Sequence, residues 1–420
     1  MRVRFPDATF GRNKILEWAF WPSLDGKDAS PTNIPAPCGD VTPFSQFKLL
    51  AFLIISTAVL AEVQQPEEKH ASIYWGSLGP RRGLVVDASH VFVTTKKGLS
   101  IIPKTSFTTE GIEPARLALK GIPQPLVLLN GKRALAGTGQ HIAVIDIEDR
   151  KAPKLIAKLR VADDDLYGCE DFELRGKTLY VASRRKGLLT VDVSNPAQPK
   201  IKNRLKLPGM ASGIALDGDI ACVAVDTGIA FVDISGKRPK KISYLDTLRS
   251  ALSVDSARKH AVIASLNYIE VIDYSNPKKP KSIREGVHNA PFWYAGFRDI
   301  TLREHLAYMA TGEGGLYIYD WTTGPKCKLV AQMGFWGGGR TKRQQRIEYV
   351  KKFGIAKTDK EAAKYIPEGI NYYFIGIALA VDNQQVYVLG HVLDKKRDDR
   401  VHCMRFTETP SPDITYISNR

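Results

Sequence analysis

The sequence predicts an all-β fold, a seven-bladed β-propeller with a helical insertion between blades six and seven. Three observations predict it. A unit of apolar strands recurs along most of the chain, with openings at 83, 125, 171, 213, 251, 299 and 376. The strands are short, rich in Val, Ile and Tyr, and punctuated by Gly and Pro, which argues against a helical repeat. The openings are evenly spaced from 83 to 299, and only the last step, from 299 to 376, is long; its excess marks the insertion.

The front of the chain reads differently. Residues 49–61, LLAFLIISTAVLA, form an uncharged apolar run behind Lys48. Such a run is short for a bilayer span and suits the core of a signal peptide. Val59 and Ala61 occupy the small-residue positions before a cut at Ala61–Glu62. Residues 1–61 are therefore expected to be a leader and signal peptide, with 62–420 as the propeller. The expected location is secreted, periplasmic or cell-surface, with no membrane span after signal removal. The signal begins unusually late. A start at Val41, on a non-AUG codon of the kind bacteria use, would give a signal of ordinary length, from 41 to 61.

Each unit reads as apolar strand, polar turn, apolar strand, Gly-containing turn, a third strand and a Pro-Lys strand. The third strand carries an aspartate at its end: GLLTVDVSNPAQPK from Gly187, GIAFVDISGKRPK from Gly228, YIEVIDYSNPKKPK from Tyr268. Asp146, Asp192, Asp233, Asp273 and Asp320 follow one another at nearly even steps. Four short strands per period of this length are the signature of a propeller blade. An Asp before Ser-Asn-Pro can accept bonds from the backbone N–H groups of the following turn. The Pro-Lys pairs suit the start of an outermost strand, where Lys discourages edge-to-edge pairing.

The GLxxVDVSNPxxP unit resembles the LVIVD repeat of secreted and cell-surface proteins of bacteria and archaea. The resemblance covers about residues 83–420 and is strongest at Asp192. It weakens in the first unit, where IIPKTS from Ile101 lacks the Asp, and in the last, where VHCMRF from Val401 replaces the motif. It implies a β-propeller and export, and brings no catalytic residues. Two terminal segments compete to complete the last blade: ASIYWGSL from Ala71 and DITYIS from Asp413. The N-terminal one is the expected partner, and closure by the C-terminal strand alone is the alternative.

Function is less legible. No nucleophile elbow, phosphate loop, dinucleotide fingerprint or HExxH occurs, and the eight histidines form no spaced metal pair. The five cysteines include no CxxC. Without Cys38, the remaining Cys169, Cys222, Cys327 and Cys403 could form two disulfides or stay as buried thiols. The net charge of +16 favours anionic partners in general, but a lysine-rich solvated rim explains it as well, and nucleic acid is disfavoured for an exported chain.

Loops that break the repeat are the candidates for a site. The segment EGVHNAPFWYAGFRD holds His288, Asn289, Trp293, Tyr294 and Arg298, the polar-aromatic mixture of a small-ligand or glycan pocket. Glu170, Arg184 and Glu313 are expected on the same face. The acidic stretch Asp163, Asp164, Asp165, Glu170 and Asp171 could take Ca2+, although its spacing fits no EF-hand loop, and no cofactor is otherwise expected. The insertion 337–368 reads as a helical hairpin over that face, with Thr358 and Glu361 at capping-box spacing. The leading reading is a monomeric, non-catalytic binding or scaffold propeller for a protein, glycan or small-molecule ligand. The alternative is a hydrolase or lyase using His288, Arg298, Asp299 and Glu170 around the central channel.

Overall fold

The computed structural model describes residues 83–419, leaving out 96, 110, 122–124, 163–167, 248–250, 266–267, 288–298, 312–314, 334–357, 361–373, 383–384, 393–398 and 408–412. These residues form seven four-stranded antiparallel sheets, each a meander in which strands adjacent in sequence are adjacent in space. The first strands are Leu84–Val86, Leu126–Leu129, Asp171–Arg175, Ala211–Asp217, Ser253–Ala257, Asp299–Arg303 and Phe374–Asp382. They start at or beside the predicted openings. Each first strand touches the first strand of the next blade, and the seventh touches the first, so they ring a central channel.

A blade is apolar on both faces, because every strand between two neighbours must bury residues in both directions. The second strand Thr178–Ser183 and the third strand Gly187–Asp192 of blade 3 are buried almost throughout. The core divides accordingly into seven clusters among the described residues, one at each blade–blade interface. Burying a Leu, Ile or Val side chain is worth about 1.5–3 kcal/mol, so these interfaces dominate the folding energy. Burial fades outward: the fourth strand Lys200–Leu205 alternates exposed and half-buried residues. The lysines of the Pro-Lys pairs open the fourth strands of blades 2 to 5, at Lys154, Lys200, Lys240 and Lys281, and in blade 6 Lys326 stands two residues before the strand that begins at Lys328.

The repeated aspartate does what its position predicts. Asp192 Oδ1 accepts the Ser194 N–H at 2.9 Å, Asp233 the Ser235 N–H at 2.9 Å, and Asp273 the Ser275 N–H at 2.8 Å. Asp146 and Asp320 do the same for Glu148 and Thr322, at 2.9 and 2.8 Å. The Ser194 hydroxyl and N–H, with Lys202 beside them, hold the Asp192 carboxyl down to about 2. The register also slips once between the third and fourth strands of six blades. The slips fall at Val144/Ile145, Thr190/Val191, Phe231/Val232, Val271/Ile272, Ile318/Tyr319 and Cys403/Met404. Such a bulge raises the local twist and turns the outer strand away from edge-on pairing. Blade 7 keeps the bulge although it lacks the aspartate, so strand pairing rather than the turn sets it. Gly187 opens the third strand of blade 3 at φ +75°, and a Cβ there would lie 2.3 Å from the Leu205 carbonyl oxygen. Only glycine fits that approach.

Ring closure corrects the expectation of a shared N-terminal strand. Blade 7 is completed by Asp413–Asn419, paired with Asp399–Thr407, so all four of its strands come from the C-terminal stretch. The segment 71–78 lies outside the described residues. Among the described residues the seam between blades 7 and 1 is therefore noncovalent. Leu84, Val93, Ile102 and Phe107 pack against Tyr387, Leu389, Val401 and Cys403. The Phe107 and Tyr387 rings meet edge-on at 5.6 Å. A 3-10 turn, Lys104–Phe107, aims Lys104 at Asp382, with its ammonium 5.5 Å from the Tyr387 ring centroid.

The insertion 337–368 lies outside the described residues apart from 358–360, which are too few to show a helical hairpin. No helix among the described residues is long and apolar enough to cross a membrane.

The seam generates a prediction. Leu389 is fully buried there. Leu389→Ala is expected to destabilise the ring by about 3 kcal/mol, the usual cost of emptying a leucine site. Urea unfolding followed by circular dichroism checks this; a loss no larger than that of an exposed control such as Leu155→Ala would show that the seam does not hold the ring.

Candidate functional site

The innermost strands create a specific problem. Each has one edge facing the channel, and its N–H groups have no strand partner. Aspartates from the preceding blade meet part of that need. The Ile214 N–H of blade 4 donates to Asp171 Oδ2 of blade 3 at 2.9 Å. The Leu302 N–H of blade 6 donates to Asp255 Oδ2 of blade 5 at 2.7 Å. The Leu379 N–H of blade 7 donates to Asp299 Oδ2 of blade 6 at 2.9 Å. In each case Oδ1 accepts the N–H of the next residue in its own strand: Phe172, Ser256 and Ile300. The three carboxylates thus staple blades 3 to 4, 5 to 6 and 6 to 7 at the channel wall.

The channel holds a cavity of about 210 Å³. Among the described residues its lining includes five acids, Glu170, Asp171, Glu173, Asp255 and Asp299, and no lysine or arginine. Glu173 differs from the stapling aspartates. Among the described residues its carboxylate makes no hydrogen bond or ion pair, and its charged neighbours are Asp171 and Asp255. Burial first, and those two carboxylates second, push Glu173 well above the usual carboxylate range. Burial likewise pushes Asp255 up to about 6, against the pull of the Leu302 and Ser256 N–H groups.

At the end of the channel, Glu170 and Arg184 come together. Arg184 Nη1 lies 4.0 Å from Glu170 Oε1, and the two side chains are only 21% and 12% exposed. Arg184 sits in the turn between the middle strands of blade 3, at φ +21°, and its carbonyl accepts the Ala211 N–H of blade 4 at 2.9 Å. That bond fixes the turn against the next blade's inner strand. Glu170 leads directly into the inner strand that carries Asp171 and Glu173.

The predicted site divides sharply. Glu170 and Arg184 are brought together, whereas His288, Asn289, Trp293, Tyr294, Arg298 and Glu313 lie outside the described residues. Of the four residues assigned to a catalytic reading, Glu170 and Asp299 both line the channel. In the acidic stretch, 163–165 lie outside the described residues, and Asp171 belongs to the inner strand, where its two oxygens hold backbone. Among the described residues no three His, Cys, Asp or Glu side chains cluster closely enough to hold a metal ion. Sequence reasoning missed Glu173 and Asp255. The signal was available: both are acids at the third position of an innermost strand whose counterparts in blades 2 and 4 are Val127 and Ala215.

Cys169, Cys222, Cys327 and Cys403 are all buried thiols that form no disulfide, which settles the open choice for these four. They lie in four different blades. Burial pushes Cys222 and Cys327 up to about 12 and Cys403 up to about 11, so none is a ready nucleophile.

The LVIVD repeat matches residues 169–206 and 208–237, the stretches that build blade 3 and most of blade 4. The chain carries LVIVD repeats. The matched units contain Asp192 and Asp233, the aspartates that close the turns described above. They also contain Glu170, Asp171, Glu173 and Arg184. No curated protein matches the chain. Among solved structures, a protein from Lactobacillus plantarum is similar, with a TM-score of 0.54 and 12% identity over 81% of this chain and 95% of that one. A functionally unknown protein from Desulfotomaculum acetoxidans DSM 771 gives a TM-score of 0.50 and 12% identity, over 60% and 84%. At such identities the likeness shows the fold alone.

The buried Asp255 generates a pH prediction. Its pKa rises on folding from 3.8 to about 6. Between those values the folded state holds the proton more tightly than the unfolded chain, so its contribution is full at low pH and is lost as pH rises through 6. The protein is expected to show a higher urea midpoint at pH 5 than at pH 7, and Asp255→Asn is expected to shrink that difference. An unchanged difference in the variant would remove Asp255 as its source.

Proposed function

We propose that the protein is an exported binding propeller that takes a small polar ligand or a partner's polar group at the mouth of its channel. The observation that carries the reading is the meeting of Glu170 and Arg184 at 4.0 Å, sheltered but not sealed. One is an acceptor and the other a five-donor fork, and a ligand with a neighbouring donor and anion could bridge both. His288, Asn289, Trp293, Tyr294, Arg298 and Glu313 are proposed as further lining, with 337–368 as a helical cover entering one blade later. Export rests on the apolar run 49–61 that ends at Ala61. A hydrolase or lyase is the second reading, favoured by Glu170 and Asp299 sharing the channel wall.

Two measurements test the proposal. N-terminal sequencing of the exported protein is expected to begin at or near Glu62; an intact 1–40 segment would end the export reading. A thermal-shift screen of the mature chain against glycans, amino-acid derivatives and small carboxylates is expected to find a stabilising ligand. Arg184→Ala should weaken its binding about tenfold or more, the usual loss of a charge-assisted bond. Binding that ignores Arg184→Ala would move the site elsewhere, and turnover of a screened compound would favour the enzyme.

A further inference from the structure

We infer that the central channel binds a small organic cation bearing an ammonium group, with Glu173 as the anchoring carboxylate. The inference does not depend on the mouth ligand proposed above. It starts from charge. Five carboxylates line a cavity of about 210 Å³, and among the described residues no lysine or arginine lines it with them. Stapling explains three of the five: Asp171, Asp255 and Asp299 each hold two backbone N–H groups. Glu170 faces Arg184. Glu173 is left with no structural task. It lines the channel half-buried, makes no hydrogen bond or ion pair among the described residues, and has Asp171 and Asp255 as its charged neighbours.

An isolated carboxylate beside two others is costly to hold in a sheltered space, and a protein with no use for it would lose little by an apolar residue there. Blades 2 and 4 show such replacements at the equivalent positions, Val127 and Ala215. A cation in the channel would turn the same arrangement from repulsive to attractive. The size of the cation follows from the spacing. No three acidic or other ligating side chains among the described residues lie close enough to enclose a bare metal ion. An ammonium group needs no such shell. It can donate to Glu173 directly and to the outer lone pairs of Asp171 and Asp255, with a short alkyl chain filling the remaining volume against Phe172, Val254 and Leu379.

The test is titration calorimetry of the whole protein with putrescine and spermidine, and separately with Ca2+ and Mg2+, at low ionic strength. The expected result is saturable amine binding that weakens about tenfold or more in Glu173→Gln, which removes the charge and keeps the shape. The amine should also raise the melting temperature of the native protein and not that of the variant. Without ligand, Glu173→Gln should melt no lower than the native protein, so loss of binding cannot be blamed on unfolding. Absence of amine binding, or amine binding that Glu173→Gln leaves intact, would overturn the inference. So would Ca2+ or Mg2+ binding that depends on Glu173 while the amines fail. None of these outcomes bears on Arg184, so the channel and the mouth stand or fall separately.

Discussion

A radial four-stranded sheet has two apolar faces, and neither can be left to water. Each blade of this chain covers its faces only by standing between two neighbours. The seven core clusters are therefore seven interfaces, and no blade has a core of its own. Closing the circle is then a requirement of stability. Among the described residues the seam between the two ends of the chain is held by Leu84, Phe107, Tyr387 and Leu389, as apolar side chains hold the other six interfaces. The Lys104–Asp382 pair and the ammonium over Tyr387 reinforce it.

Closing the ring creates a second requirement at its centre. Seven strand edges converge on the channel, and their N–H groups lose bulk water without gaining a strand. Asp171, Asp255 and Asp299 answer by reaching across to the next blade. The solution leaves its mark, because each staple adds a negative charge to a narrow space. The acidity of the channel is thus first a by-product of edge satisfaction, and only Glu173 exceeds what that accounts for. The same logic separates Glu170, whose partner Arg184 is carried by a turn pinned to Ala211.

Much of this was legible in the sequence, and the reason is periodicity. Continuous apolar runs, Gly-containing turns and an aspartate at the end of the third strand recur so regularly that blade count, strand order and the turn role of Asp192 and its equivalents could be read directly. Closure was misjudged because nothing local distinguishes ASIYWGSL from DITYIS as a fourth strand: both are short, apolar and aromatic. The decisive feature is a bulged pairing of Cys403 and Met404 with the C-terminal strand, in a unit that lacks the aspartate marker. The channel acids were hidden for a different reason. Asp171 ends an acidic loop and reads as part of it, while Asp255 and Glu173 look like solvent-facing positions of alternating strands. What sets the stapling aspartates apart is a partner in the next blade, a full repeat away in sequence, and no local pattern encodes that.

The repeat uses aspartate in two ways that respond to acid oppositely. In the turns, Asp192 and Asp273 are held below the ordinary carboxylate range by the Ser194 and Ser275 groups that donate to them. The contribution of Asp192 is present above pH 3.8 and is lost as the pH falls toward about 2. In the channel, burial raises Asp255 to about 6 and raises Glu173 as well. Their charged forms weaken the ring at neutral pH, and mild acid relieves it. Between about pH 4 and 6 Asp192 stays ionised while Asp255 gains its proton, so of these two aspartates only the one in the channel changes its contribution. A cation in the channel acts in the same sense as the proton, because both neutralise the charge that the inner strands gather. Proton and cation should therefore compete for Glu173, each favouring the state of the ring in which that carboxylate is no longer an unpaired charge.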